Sequence, residues 1–274
     1  KYPQNAYPYE DLVKTNQERT RDDPEYELLD TKIFDNDDYF DVFIEYAKST
    51  PEDIFVRYTI FNRGLKSAEL HLLPTVLFRN TWSWKEGNGK PHLTLGSPKD
   101  DCKLIELDHP ITGKRWLYCR HAESILFTDN ETNNERIFNI PNHTPFVKDG
   151  INNTIVNGDK GKVNPHNRGT KASAHYRLDI NGKDKAVITL RLSDKEEIQD
   201  PFGIEFDALF TKRINEADEF YKKIAPFEMS DDMRNIQRQA FAGLLWNKQY
   251  YHFNVKRWLE GDPKHPPPPE SRMS

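Results

Sequence analysis

The feature that most constrains the fold is a pair of neighbouring runs in which apolar and polar side chains alternate with a period of two. The first run places on one face Phe40, Val42, Ile44 and Tyr46. The second run follows a turn at residues 49–53 and places on one face Ile54, Val56, Tyr58 and Ile60. Because successive side chains of a strand point to opposite faces, the pattern predicts an antiparallel hairpin with one buried and one solvated face.

Most of the first 200 residues favour strands over helices. Further strand-like runs lie at residues 68–73, 76–79, 102–107, 115–121 and 124–128. Residues 175–180 and 186–192 flank a turn at residues 181–184, which predicts a second hairpin. Many short strands without interleaved helices indicate a mainly β fold built as an antiparallel sandwich.

The periodicity changes to helical spacing after Pro201. One helix is predicted between Phe206 and Ile224, and a second over residues 230–247, with Ser230 as its N-cap. The apolar stripe of the second helix consists of Met233, Ile236, Ala240 and Leu244. We expect this stripe to lie against a neighbour outside the chain, since four consecutive prolines at residues 266–269 follow and a domain rarely ends that way.

Charge and cysteine content restrict the classes of partner and compartment. A formal net charge of −5 offers no basic surface for nucleic acid or for an anionic membrane, so neither partner is predicted. No apolar run approaches the ~18 residues of a membrane span. The two cysteines, Cys102 and Cys119, are too few to cross-link 274 residues, which favours a reducing compartment and predicts a cytoplasmic protein.

Two polar segments are predicted to be irregular, and one of them carries candidate site residues. Residues 1–27 show no clear periodicity, and residues 139–168 are dense in Asn, Gly and Pro. Long loops inside compact domains tend to be functional. Lys148 and Asp149 lie in the second segment, directly before Gly150, which would allow a tight turn at the rim of a pocket. They are therefore candidate substrate contacts, although an ordinary loop is the simpler interpretation.

Trp82 and Trp84 are the aromatic candidates for a binding site. An extended backbone would place both indoles on one face, beside the polar Arg79 and Asn80. Such a surface suits the apolar face and hydroxyl edge of a sugar. The alternative is that both side chains fill the core or pack between domains, as most tryptophans do.

No catalytic or metal-binding constellation is apparent from residue types and spacing. The acidic pairs Glu196/Glu197 and Glu205/Asp207 resemble the paired carboxylates of a glycosidase, but they lie in turn-like or helix-entry sequence where solvated charges are the simpler interpretation. The nine histidines do not show the spacing of metal ligands. The sequence therefore predicts no catalytic residue, no metal and no organic cofactor.

Several longer motifs together resemble one enzyme family. They lie at residues 7–12, 39–47, 72–75, 78–84, 146–152, 169–172, 174–176 and 258–263. The first of them reads Tyr7-Pro8-Tyr9-Glu10, and the last begins Trp258-Leu259-Glu260-Gly261. In these motifs the chain resembles glycoside hydrolase family 63, the mannosyl-oligosaccharide glucosidase family, and its large glucosidase-like relatives in bacteria and fungi. The resemblance spans nearly the whole chain.

The resemblance implies a multidomain enzyme of which this chain is a portion. Residues 1–200 would form an antiparallel β-supersandwich whose first strands precede the chain, and residues 201–262 a linker of two α-helices. Residues 263–274 would lead to an (α/α)6 barrel. The family hydrolyses α-glucosidic bonds of oligosaccharides with inversion, using two carboxyl groups that lie in the barrel. No position here matches them, so we expect no activity from this chain alone.

Two other functions are compatible with the sequence. An independent carbohydrate-binding module would use Trp82 and Trp84 as an exposed aromatic platform. A non-enzymatic interaction scaffold would instead offer its proline segment, residues 266–269, to an aromatic groove of a partner. Exposure of the two indoles would favour the first of these, and their burial would count against it.

Overall fold

The computed structural model describes residues 1–84, 89–225, 227–248, 251 and 253–272, which fall into two compact units. The first unit comprises Lys1–Arg79, Lys90–Asn133 and Asn142–Pro201. The second comprises Asn80–Gly89, Asn134–Pro141 and Phe202–Ser274. The domain boundaries expected at residues 200 and 262 stay predictions.

All twelve strands found among the described residues belong to the first unit. In chain order they are β1 (Tyr2–Pro3), β2 (Tyr39–Thr50), β3 (Asp53–Asn62), β4 (Ala68–Leu72), β5 (Thr75–Leu77), β6 (His92–Leu95), β7 (Cys102–His109), β8 (Gly113–Arg120), β9 (Ser124–Thr128), β10 (Arg168–Gly169), β11 (Lys171–Ile180) and β12 (Lys185–Ser193). The α-helices are α1 (Tyr9–Glu18), α2 (Asn134–Phe138), α3 (Gly150–Asn157), α4 (Glu205–Ile224), α5 (Asp231–Trp246) and α6 (Val255–Glu260). Of these helices, α1 and α3 belong to the first unit.

The strands form two antiparallel sheets that share one core, which confirms a mainly β fold of sandwich type. The larger sheet has eight strands in the order β1-β2-β3-β12-β8-β7-β6-β10. In the smaller sheet β11 is central, with β4 and β5 along one side and β9 along the other. Both sheets contribute to the core, which includes Phe40, Ile60, Ile105, Phe127, Ala174 and Tyr176.

The predicted hairpin of β2 and β3 is confirmed, but the second sheet covers only part of it. Its register pairs Val42 with Ile60 and Tyr46 with Val56. Phe40 is buried in the shared core, whereas Ile44 and Tyr46, which have the same parity along β2, are exposed. Strand alternation therefore predicted which face is apolar, and the smaller size of the second sheet decided how much of that face is buried.

The second predicted hairpin is wrong, because β11 and β12 belong to different sheets. β11 pairs with β4, β5 and β9, whereas β12 pairs with β3 and β8. The turn between them carries the chain from one sheet to the other, next to the connection from β3 to β4. A Cβ atom on Gly182 would lie 2.2 Å from the carbonyl oxygen of Leu65, so the two connections approach closely enough to require glycine.

Both segments predicted to be irregular contain helices. In the first, α1 buries no residue, and the Asn16 side chain anchors its end by two hydrogen bonds of 2.9 Å with the backbone of Tyr26. In the second, α3 is followed by a 3₁₀ helix at Lys160–Lys162. These predictions failed because the helices are short, ten residues in α1 and eight in α3, so the apolar period repeats over only about two or three turns.

The two helices predicted after Pro201 are confirmed as α4 and α5, and α6 follows them. The Ser230 hydroxyl accepts a hydrogen bond of 3.2 Å from the backbone N–H of Met233, so it caps α5 as predicted. Asp231 and Asp232 lie in the first turn, where their negative charges interact favourably with the positive end of the helix dipole. In α6 the Asn254 side chain accepts similarly from the N–H of Arg257.

Candidate functional site

The two candidate tryptophans lie in the second unit, on a turn instead of an extended strand. The Asn80 side chain accepts from the N–H of Ser83 at 3.2 Å, and the N–H of Trp84 donates to the Thr81 carbonyl at 3.3 Å. These bonds fold the backbone, so the expected extended segment is not formed. Trp82 is only 7% exposed and Trp84 is 40% exposed. The burial of Trp82 counts against a platform of two exposed indoles, and sugar contact by either residue stays a prediction.

Lys148 and Asp149 lie in the first unit, at the end of the irregular segment 139–149 and directly before α3. Lys148 Nζ lies 3.4 Å from Thr132 Oγ1, and the Asp149 carboxylate accepts from Asn133 Nδ2 at 3.1 and 3.2 Å. The same amide group, through Asn133 Oδ1, accepts from Asn142 at 2.9 Å. Through these bonds Asp149 holds Asn133 and Asn142 near the start of α3. Its role as a substrate contact stays a prediction.

Gly150 begins α3 and allows close packing of the helix instead of the tight turn expected there. A Cβ atom at this position would lie 2.2 Å from the carbonyl oxygen of Lys162. Its φ is not in the left-handed region, so the requirement is one of space. This contact sets the position of the start of α3 against the 3₁₀ helix Lys160–Lys162.

A cleft of about 490 Å³ lies between α3 and the smaller sheet, within the first unit. Its apolar wall is formed by Leu73, Ile151, Ile155 and Val156. Its polar wall includes Glu69, His71, Thr75, Lys171 and Ser173. Because Ala172 and Ala174 point into the core, Lys171 and Ser173 point to the opposite face of β11, which is the face that α3 covers.

A chain of polar side chains leads from the cleft into the smaller sheet, from Glu69 through His71 to His175. His71 Nε2 lies 3.2 Å from Glu69 Oε1, and His71 Nδ1 lies 2.8 Å from His175 Nε2, with the two ring planes 10° from parallel. Since an ionised carboxylate only accepts, His71 donates through Nε2 and accepts at Nδ1 the proton of His175. Hydrogen bonds from Arg177, and then from His71, hold the pKa of Glu69 below its usual value.

The hydrogen bond between the two histidines requires that at least one ring present an unprotonated nitrogen to the other. Burial, and then the neighbouring His71, lower the pKa of His175. Protonation of both rings would replace the hydrogen bond with two facing N–H groups. A partial signal for this group was present in the sequence, since Lys171, Ser173 and His175 alternate with the small residues Ala172 and Ala174, which are buried. Spacing alone could not bring His71 to it, because 104 residues separate the two histidines.

Lys171 is a half-buried cation in the cleft, close to the start of α3. Its Nζ donates to the carbonyl oxygen of Lys148 at 2.7 Å. Burial, as the largest cause, lowers the pKa of Lys171. Nearby, the hydroxyl oxygens of Thr75 and Ser173 lie 2.7 Å apart, and Thr75 also donates to the Leu73 carbonyl at 2.8 Å. The cleft therefore combines a cation, hydroxyl groups, a carboxylate and an apolar wall.

An exposed apolar surface lies on α5, in the second unit. No residue of this helix is buried. Ile236 is 60% exposed and Leu244 is 68% exposed, and Met233, Leu245 and Trp246 are exposed as well. The stripe predicted to need a neighbour is thus uncovered along its length.

Neither a metal site nor a membrane-spanning helix is found among the residues that the structure describes. No group of three or more His, Cys, Asp or Glu side chains there could hold a metal ion. None of the helices there is both long and apolar enough to cross a membrane.

Comparison with known proteins gives one informative relative. No protein-family model matches the chain. The chain is 35% identical over 317 aligned residues to a protein of Saccharomyces cerevisiae that is named Uncharacterized protein YMR196W. The alignment covers 100% of this chain and 29% of the yeast protein. The chain therefore spans less than a third of the length of the relative that it matches from end to end.

Proposed function

We propose that this chain is the sandwich and linker portion of a longer protein related to glycoside hydrolase family 63. The parent protein would hydrolyse α-glucosidic bonds of oligosaccharides with inversion of configuration. Its two catalytic carboxyl groups would stand about 6.5–9.5 Å apart in a helical barrel outside this chain. Support comes from the family motifs along the sequence and from a relative more than three times as long that matches the whole chain.

The uncovered face of α5 is the observation that carries the proposal. Large apolar patches on soluble proteins mark interaction sites, because their exposure to water is unfavourable. The occupant we propose is the helical barrel of the same polypeptide. The length of the yeast relative outside the aligned region leaves ample chain for such a domain. Helices packing on helices would then bury Ile236 and Leu244.

The smaller sheet covers only part of the larger sheet, and this supports the assignment of the first unit to a supersandwich. Ile44 and Tyr46 lie on the core-facing side of β2 but are exposed, because the four strands described for the smaller sheet do not cover them. A complete supersandwich would place further strands over this region. We propose that those strands come from sequence that precedes this chain in the parent protein.

The first test compares the chain with the complete protein encoded by its gene. We expect no hydrolysis of p-nitrophenyl α-glucoside or of glucose-containing oligosaccharides by the chain, and measurable hydrolysis by the complete protein. Turnover by the chain alone would contradict the proposal. So would a gene that encodes no further domain, or a complete protein that hydrolyses none of these substrates.

A second test probes the docking face in the complete protein. Ile236→Glu and Leu244→Glu would each bury a charge at the proposed interface, so we expect thermal unfolding to occur about 5 °C or more lower. The matched control is Ile111→Glu, which alters an exposed residue between β7 and β8. Equal effects of the three substitutions would contradict docking through α5.

A carbohydrate-binding module remains a second candidate because Trp84 is partly exposed. The guanidinium of Arg257 lies 6.0 Å from the centre of its ring, which gives the indole a polar neighbour. The test is retention of the chain on immobilised α-glucan. Retention that is lost on Trp84→Ala and unchanged by Trp258→Ala would favour a binding module over the sandwich and linker portion of a hydrolase.

A further inference from the structure

We propose that the cleft between α3 and the smaller sheet binds a small hydroxylated carboxylate, of the class of sugar acids. The inference rests on the cleft alone and stands whether or not the parent protein is a glycosidase. The cavity of about 490 Å³ lies within the range of about 300–1,000 Å³ that is usual for small-ligand sites. Its polar groups supply one cation and several acceptors, and a sugar acid has the complementary set.

Lys171 is the group that would bind the carboxylate. An ammonium has three donors, and one of them is used by the Lys148 carbonyl. Within the part of the chain that the structure describes, Lys171 forms no ion pair with a carboxylate. Charges removed from water are normally paired with opposite charge. A ligand carboxylate would supply that pairing and would offset the burial that lowers the pKa of Lys171.

The negative groups near the cleft do not cancel this cation. The Glu69 carboxylate already forms an ion pair with Arg177 at 2.7 Å and a hydrogen bond with His71 at 3.2 Å. Asp149 lies beyond ion-pair distance of Lys171, where its charge is opposed by that of Lys148. The described groups therefore leave a net positive charge at the α3 end of the cleft.

Thr75 gives the site its preference for hydroxyl groups. Its proton is donated to the Leu73 carbonyl, so the proton between Thr75 and Ser173 belongs to Ser173. Thr75 Oγ1 then has one lone pair left, and it can only accept. A ligand group that meets Thr75 must donate a hydrogen bond, as sugar hydroxyls do.

The apolar wall suits the carbon skeleton of the same ligand. Ile155 and Val156 of α3 line the cleft together with Leu73, which lies between β4 and β5, and Val156 is largely exposed. Pyranose rings present C–H groups on one face and hydroxyls at the edge. Contact of that face with the aliphatic wall would orient the hydroxyls toward Thr75 and the carboxylate toward Lys171.

The test is a titration of the isotopically labelled chain followed by amide resonances, with glucuronate as the ligand, glucose as the neutral analogue and acetate as the analogue without hydroxyls. We expect glucuronate to shift the resonances of Thr75, Ile155 and Lys171 saturably. Glucose and acetate should each bind at least about tenfold more weakly than glucuronate, because each lacks one of the two recognised groups. Equal affinity for the three, or shifts confined to other regions, would overturn the proposal.

Two variants separate the charge from the hydroxyl acceptor. Lys171→Met should weaken glucuronate binding about tenfold or more, while Lys160→Met, which removes an exposed lysine after α3, should change it by less than about twofold. Thr75→Val alters an exposed residue and preserves its shape. It should weaken glucuronate and leave acetate unchanged. Unaltered glucuronate affinity in Thr75→Val would overturn the proposal even if Lys171→Met fails to fold.

Discussion

At the scale of single residues, buried polar side chains fix the corner where the chain changes sheets. Asn62 is almost fully buried and uses its whole amide. Its Nδ2 donates to the carbonyls of Ile180 and Lys66, both at 2.8 Å. Its Oδ1 accepts from the N–H of Gly64 at 2.9 Å and from Gln4 Nε2 at 2.7 Å. Because a buried polar group without partners is costly, this one side chain specifies how both crossovers and the N-terminal segment meet.

The histidine pair predicts how stability depends on pH. The pKa of His175 in the folded chain lies below its ordinary value of 6.5. The unfolded chain therefore binds the proton more tightly, so the contribution to stability is complete above pH 6.5 and declines as the pH falls from there toward the folded-state pKa. Glu123 opposes the shift, and Arg177 adds to it.

Urea unfolding at about pH 7.5 and about pH 5.5 checks this prediction. We expect a lower midpoint at the acidic pH, and a smaller difference between the two pH values in His175→Gln, which cannot be protonated. His166→Gln, at an exposed position, is the control and should retain the pH dependence of the unchanged chain. An identical pH dependence in His175→Gln would show that another group is responsible.

At the scale of elements, α3 is placed by close backbone contact as well as by its apolar side. Ile151 is buried and Ile155 lines the cleft, while the helix start lies against the 3₁₀ helix Lys160–Lys162. Thr154 Oγ1 lies 2.9 Å from the carbonyls of both Gly150 and Asp159. An eight-residue helix is marginal by itself, so these contacts supply what its intrinsic propensity lacks.

Gly150→Ala should therefore destabilise the first unit by about 1–3 kcal/mol, since its methyl group would overlap the Lys162 carbonyl oxygen. Gly161→Ala is the matched control, because there the added methyl lies 3.3 Å from the side-chain oxygen of Asp159 and needs only a small adjustment. Urea midpoints and amide hydrogen exchange in α3 would measure both. Similar losses for the two variants would mean that α3 is not held by this contact.

At the scale of the whole molecule, the two units differ in how they use apolar residues. The first unit gathers them into a core shared by its two sheets, where Phe127 of β9 is almost completely buried. In the second unit, α5 leaves every side chain at least partly accessible to solvent. Stability of the chain should accordingly depend on the core of the first unit and hardly at all on the exposed apolar side chains of α5.

Phe127→Ala should lower the free energy of unfolding by about 3–5 kcal/mol, because it removes buried contacts and leaves a cavity. Leu244→Ala should change it by about 0.5 kcal/mol or less, since the side chain is exposed and alanine is a good helix former. Urea unfolding of the chain measures both values. A large loss on Leu244→Ala would mean that α5 is already packed in this chain, contrary to the proposed docking.

The sequence by itself determined the local structure: the strands around Phe40 and Val56, the helices α4 and α5, the cap at Ser230 and the apolar stripe of α5. Periodicity and capping act over a few neighbouring residues, so they can be read along the chain. Only the tertiary structure decided that β11 and β12 join different sheets, that Trp82 is buried, and that Glu69, His71, Thr75 and Lys171 share one cleft. Strand pairing and burial are set by contacts between distant residues, and the alternation of side chains is the same whichever partner a strand takes.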